Sequence, residues 1–226
     1  MTPFFSIIVV CLNPGEKLLQ TLQSIQRQEF RDYEIVLKDG GSTDGSLQKL
    51  YPEQSGLHVV TKPDRGIYDA MNQAVEEAKG RFVFFLNCGD WFMDEQVLAD
   101  MHDRIAGHEQ TGTEHSAIYY GNVYERVTGQ LVSSNPKLNA FGCYRNVPCH
   151  QACFYERELL LRHPFRLEYR VRADYEQFLW CFFEAKANPF YTGITVADYE
   201  GGGFSETKKN LAVSKEEHRK IVQKYM

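Results

Sequence analysis

FVFFLNCGDW, residues 82–91, is the stretch whose reading decides the fold. An apolar run of strand length empties into Asn87, Cys88, Gly89 and Asp90. A strand that is apolar at every position is buried on both faces, as in a parallel sheet covered by helices. Such a sheet places its ligand just past the carboxyl ends of its strands, which makes Asp90 a candidate metal ligand.

Working outward toward the amino terminus, the same pattern recurs three times. SIIVVCL (6–12) is a buried first strand that stops at Asn13-Pro14-Gly15, and a helix follows over 16–28 with Leu18, Leu19, Leu22 and Ile25 on one face. A second strand at 34–37 runs into Asp39 and a Gly- and Ser-rich turn that opens a helix near Ser46. A third strand at 58–62 leads to a helix from Ile67 to Ala78, ended by Gly80. Strands alternating with helices predict an α/β fold with a mainly parallel, Rossmann-like sheet, because parallel neighbours need crossover connections.

Toward the carboxyl terminus the character changes. After a helix at 94–106, the polar stretch 107–116 separates a first half, about 1–106, from a second, about 117–226, within a single domain. IYYGNVYERVTGQLVSS reads as an antiparallel hairpin turning at Thr128-Gly129. A strand at 152–155, helices at 157–162 and 174–186, a strand at 190–197 and a charged amphipathic helix at 207–225 complete a smaller α+β portion.

Composition narrows the function. The 226 residues are 43% hydrophobic, enough for a substantial core, and the formal net charge of -5 excludes a general nucleic-acid binder. Six scattered cysteines without a C-x-x-C pair read as reduced thiols of a cytoplasmic protein, and the grouping of Cys143, Cys149, His150 and Cys153 matches no zinc spacing. No apolar run approaches the roughly 18 residues of a membrane span. Asp39, Asp69 and Asp90 all fall where the loops of a parallel sheet converge. Asp39, followed by Gly-Gly-Ser, serves a turn equally well, Asp44 suits a helix cap, and Asp69 suits the first turn of its helix.

The words SIIVVCLN, EIVLKDGGSTDGS, KPDRGIYDAMNQAV, GRFVFFLNCGDW, HQACFY and RADYEQFLW, in this order, closely resemble the family-two glycosyltransferases of the inverting, A-type nucleotide-diphospho-sugar fold. The resemblance covers about residues 4–186 and suggests the branch that assembles bacterial polysaccharides. It implies donor contacts at Asn13, Asp39, Arg65, Asp69 and Asn87, with Asp39 on the nucleotide base and Arg65 beside the diphosphate. It makes Asp90 the ligand of a divalent manganese or magnesium ion. Asn87 and Gly89 stand where many relatives carry acids, leaving Asp90 to act nearly alone. Asp174 matches the catalytic base, although by its position alone it serves equally as an N-terminal helix acid, and Glu176 is the fallback. His150 and Gln151 fall on the acceptor side.

Gly201 to Ser205 resemble a mobile loop over the donor. The Lys- and Arg-bearing final helix suits either a solvated face or peripheral contact with the inner face of the membrane. The expected partners are a nucleotide-diphospho-sugar donor and a saccharide or lipid-linked saccharide acceptor. A non-catalytic nucleotide-sugar-binding module is the alternative. A nucleotidyltransferase would want a Gly- and Arg-rich triphosphate loop that residues 13–20, NPGEKLLQ, lack.

Overall fold

A computed structural model describes residues 2–50, 56–112, 117–201 and 207–226. Strand β1 (Phe5–Cys11) lies between β2 (Tyr33–Asp39) and β4 (Phe82–Phe85), and β3 (Leu57–Thr61) is added beyond β2, all parallel. The apolar run of β1 is continuous because its two faces enter different cores. Phe5, Ile7 and Val9 pack with Leu18, Leu22 and Ile25 of α1 (Lys17–Gln26), whereas Ile8 packs with Met71, Ala74 and Val75 of α2 (Ile67–Glu77).

The second half continues the same sheet. β6 (Ala117–Glu125), β8 (Cys153–Glu156) and β9 (Asn188–Tyr199) extend it in the order β3-β2-β1-β4-β8-β6-β9, with β5 (Trp91–Phe92) on the far edge and β7 (Gln130–Val132) paired to β6. β8 is the antiparallel insert that joins the halves, with Phe84 opposite Phe154 and their rings stacked 4.4 Å apart. The helices of this half are α4 (Ala140–Arg145), α5 (Arg157–Arg162), α6 (Ala173–Phe183) and α7 (Lys208–Tyr225), and α3 (Val97–Glu109) precedes β6.

Several elements differ from the sequence reading. The helix expected near Ser46 is a single 3-10 turn, Leu47–Lys49, because Asp44 spends its carboxylate on Ser46 and on the Gly15 N–H, tying the loop to the end of β1. Gly80 does not cap α2. A Cβ there would come within 2.6 Å of the Phe5–Ser6 backbone, so its role is close approach to β1. β5 and α4 were not foreseen. β5 is two residues long and exists through β9, but α4 carries a readable cap, Asn139, whose Oδ1 accepts the Gly142 N–H at 2.8 Å. Of the expected loop over the donor, Gly201 to Ser205, all but Gly201 lies outside the described residues.

Candidate active site

β4 delivers its chain to a tight loop at the carboxyl edge of the sheet, where Gly89 has φ of 101°. Only glycine adopts that conformation without strain, so an acid at 89 is disfavoured by backbone geometry. The loop is clamped to α1 by Thr21, whose hydroxyl accepts the Gly89 N–H and donates to the Asp90 carbonyl, both at 2.9 Å. The buried Asp90 carboxylate accepts the Glu200 N–H at 2.8 Å and is bonded by the Gln151 amide. Arg126 approaches it at 3.4 Å.

Arg126 carries the edge of the site. Its guanidinium lies 3.6 Å over the Trp91 ring, pairs with Asp198 at 2.6 Å and donates to the Gly89 carbonyl at 2.7 Å. Burial still dominates at Asp90 and pushes its carboxyl up to about 6, against the opposing pull of the Glu200 N–H, Arg126 and His150.

Asp174 stands in the first turn of α6 and, with about a third of its side chain exposed, faces the same cleft. Its Oδ1 accepts from the Tyr68 hydroxyl at 3.0 Å and from the Tyr175 N–H at 2.8 Å, and its Oδ2 lies 3.4 Å from His150 Nδ1. The other His150 nitrogen lies 3.2 Å from the Asn87 amide. Burial would raise the Asp174 carboxyl, but His150, the Tyr175 N–H and Tyr68 together outweigh it and hold the group below the ordinary carboxylate range.

The segment before Asp174 is held by α7. Buried Glu217 accepts three successive N–H groups, those of Arg170, Val171 and Arg172, at 2.7, 3.0 and 2.9 Å. Glu176 is not available as a second base. It is fully buried between His163 at 3.0 Å, Lys224 at 2.6 Å and the Tyr225 hydroxyl at 2.5 Å. Lys224 and Lys220, the latter paired with Glu216 at 2.6 Å, are thereby withdrawn from the free basic face of α7.

A cleft of about 930 Å³ brings together Asn87, Asp90, His150, Gln151 and Asp174. Asn13, Asp39, Arg65 and Asp69 do not line it. Asp39 is 1% exposed and spends its oxygens on the Gly41 and Ser42 N–H groups and the Ser42 hydroxyl. Asn13 stitches this turn to β1 through the Ser42 hydroxyl and the Thr43 N–H. Arg65 is exposed and pairs with Asp69 at 3.3 Å, and Asp69 also accepts the Arg65 N–H. Asn72 braces the 165 segment, exchanging two hydrogen bonds of 2.9 Å with the Phe165 backbone.

Sequence reasoning missed Tyr68, Arg126, Glu217 and Lys38. Tyr68 sits inside the word KPDRGIYDAMN and could have been found there. Lys38 is fully buried, yet its ammonium reaches the Lys62 carbonyl at 2.6 Å and Asp64 at 3.1 Å, tying β2 to the loop that carries Arg65.

The donor set fits a hard divalent cation held mainly by substrate. Among the described residues no group of three His, Cys, Asp or Glu side chains converges. The cleft does offer the Asp90 carboxylate and, three residues earlier, the buried Asn87 Oδ1, which has no hydrogen-bond partner. One carboxylate with neutral oxygen and phosphate oxygens is a usual way of holding magnesium.

Comparison with known proteins adds four matches. The family model for glycosyl transferase family 2 matches residues 6–161. A PGL/p-HBAD biosynthesis glycosyltransferase of Mycobacterium tuberculosis is 37% identical over 211 residues, which cover 91% of this chain and 80% of that protein. Among solved structures, S. aureus TarS 1–349 in complex with UDP-GlcNAc matches at a TM-score of 0.75 and 20% identity, over 98% of this chain and 71% of that one. The mannosyltransferase PcManGT from Pyrobaculum calidifontis, in complex with GDP-Man and Mn2+, matches at 0.71 and 16% identity, over 99% of this chain and 65% of that one. At these identities the structural matches speak for the fold.

Proposed function

The chain belongs to glycosyl transferase family 2, and from that premise we propose that it moves a sugar, with inversion, from a nucleotide-diphospho-sugar to a hydroxyl of a saccharide or lipid-linked saccharide acceptor. The observation that carries this reading is the pairing, across one cleft, of a carboxylate held ionised, Asp174, with a carboxylate suited to a cation, Asp90.

In the proposed reaction the acceptor oxygen attacks the anomeric carbon as its proton passes to Asp174. The bond from that carbon to the nucleoside diphosphate breaks on the opposite face. Because Asp174 is held below the ordinary range, it is a weak base that is always ready. It takes the proton late, when bond formation has already acidified the hydroxyl. Tyr68 and His150 fix the carboxylate, and Glu217 fixes the strand of backbone leading to it. Asp90 and Asn87 would hold manganese or magnesium, which supplies positive charge to the departing diphosphate. Arg65, exposed just before α2 and outside that cleft, is assigned to the donor diphosphate by the family resemblance.

The setting we propose is cell-surface polysaccharide or glycolipid synthesis at the cytoplasmic face of the membrane. No described helix is long and apolar enough to cross a membrane. The test is binding and hydrolysis of UDP-, GDP- and dTDP-sugars by purified protein with manganese, magnesium or EDTA, beside Asp90→Ala and Asp174→Asn. Metal-dependent binding lost in the first variant, and turnover lost with binding kept in the second, is the expected result. Absence of binding by any donor in any metal overturns the reading.

A further inference from the structure

Large apolar side chains exposed singly need no explanation, but several converging on one opening do. Phe141 of α4 is 67% exposed, Leu211 of α7 47%, Val132 of β7 42% and Ile67 of α2 37%. All four line the cleft that holds Asp174, and Leu138 and Val147 join them there. Tyr144, 47% exposed, stacks beside Phe141 with ring centroids 6.4 Å apart. Four elements, α2, β7, α4 and α7, therefore contribute an apolar wall to the cavity that Asp90, His150 and Asp174 also line.

We infer that this wall binds the apolar aglycone of the acceptor, an alkyl or aryl group joined to the sugar that presents the attacking hydroxyl. The inference rests on the glycosyltransferase reading and deepens it. Continuity decides the occupant. The wall and the proton-accepting carboxylate line one cavity, so a group seated on the wall is covalently near the reacting hydroxyl. The diphosphate of a nucleotide donor, charged and hydrophilic, gains nothing from these contacts, whereas each buried methylene of an aglycone favours binding. A lipid bilayer is the rival occupant. It is disfavoured because Ile67, Val132, Leu138 and Val147 line the same cavity as Asp174, with Leu138 and Val147 only partly exposed, and Lys224 of α7 is spent on the buried Glu176.

The experiment measures binding by saturation-transfer NMR, independently of turnover, for methyl and octyl glycosides of glucose, galactose, mannose, rhamnose and N-acetylglucosamine, with UDP and magnesium present. The octyl member of at least one pair should bind at least tenfold more tightly than its methyl counterpart. Phe141→Ser and Leu211→Ser, both at exposed positions, should each shrink that gap at least threefold. Equal binding within every pair, or a gap that survives both substitutions, overturns the inference. So does flotation with phosphatidylglycerol vesicles that is lost in Phe141→Ser while the octyl gap is not, which assigns the wall to the membrane. Failure of the donor assays leaves these binding results standing, so the two readings fail separately.

Discussion

His150 Nδ1 lies 3.4 Å from Asp174 Oδ2, joining the turn before β8 to the first turn of α6. The contact couples the ring to the carboxylate proposed as base, and both line one cleft. Because His150 is the leading influence that lowers the Asp174 carboxyl, His150→Ala should let burial win and raise it. The acid limb of the kcat–pH profile should move to higher pH in the variant. An unmoved limb, with kcat reduced at every pH, would assign His150 a purely geometric role.

Asp174→Asn keeps the shape of the site but cannot accept a proton. Transfer should fall by about 100- to 10,000-fold, with donor affinity within about twofold of the parent protein on titration calorimetry. A matching loss of donor affinity would place Asp174 in donor binding instead.

Asp90 carries a stability cost at neutral pH. Its carboxyl is raised from 3.8 to about 6 in the fold, so between those values the native state binds more protons than the unfolded chain. Stability from this group is full below about pH 4, declines as pH rises toward 6, and stays low above. Asp90→Asn removes the buried charge and should stabilise the protein at pH 8 by on the order of 1 kcal/mol, after the lost Arg126 contact is counted, while abolishing metal-dependent donor binding. Thermal melts at pH 5 and pH 8 check the sign, since the gain should shrink at the lower pH.

Glu176 behaves in the opposite way. Burial alone would raise it, but His163, Lys224 and Tyr225 bring it down to about 2 from 4.5. Its contribution is therefore complete above pH 4.5 and lost as pH falls toward 2. Glu176→Gln should cost about 3 kcal/mol at pH 7. Urea titrations should show that difference narrowing by pH 3.

Glu217 offers the test of a remote support. Removing the acceptor of three N–H groups in Glu217→Ala should lower stability by about 2–4 kcal/mol, and kcat should drop more than donor affinity because the segment entering Asp174 is released. Glu217→Gln, which keeps one acceptor oxygen, should fall between.

Much of the fold was legible. The runs at β1, β2 and β4 are apolar at nearly every position because helices cover both faces, and the periodicity of α1 and α2 gives the covering layers. The hairpin β6–β7 was readable from its Thr-Gly turn. The 3-10 turn after Asp44 was not, since a loop pinned by contacts to residues 13 and 15 overrides local helix propensity. Strand order in the second half was also hidden. β8 enters between β4 and β6 through pairings about 70 and 35 residues apart in the chain, and local patterns carry no partner identity.

The sequence by itself determined that strands alternate with helices, that Asp90 follows a buried strand and that Asp174 begins a buried helix. Those facts depend on residue types at close spacing. Only the tertiary structure decided the chemical state of those acids. Asp90 meets Glu200 and Arg126 from 110 and 36 positions away, Asp174 meets Tyr68 from 106, and the 170–172 segment meets Glu217 across about 46. Desolvation and opposing charges act through space over a few ångströms, so a carboxylate's proton affinity is set by neighbours that the chain supplies only once it has folded.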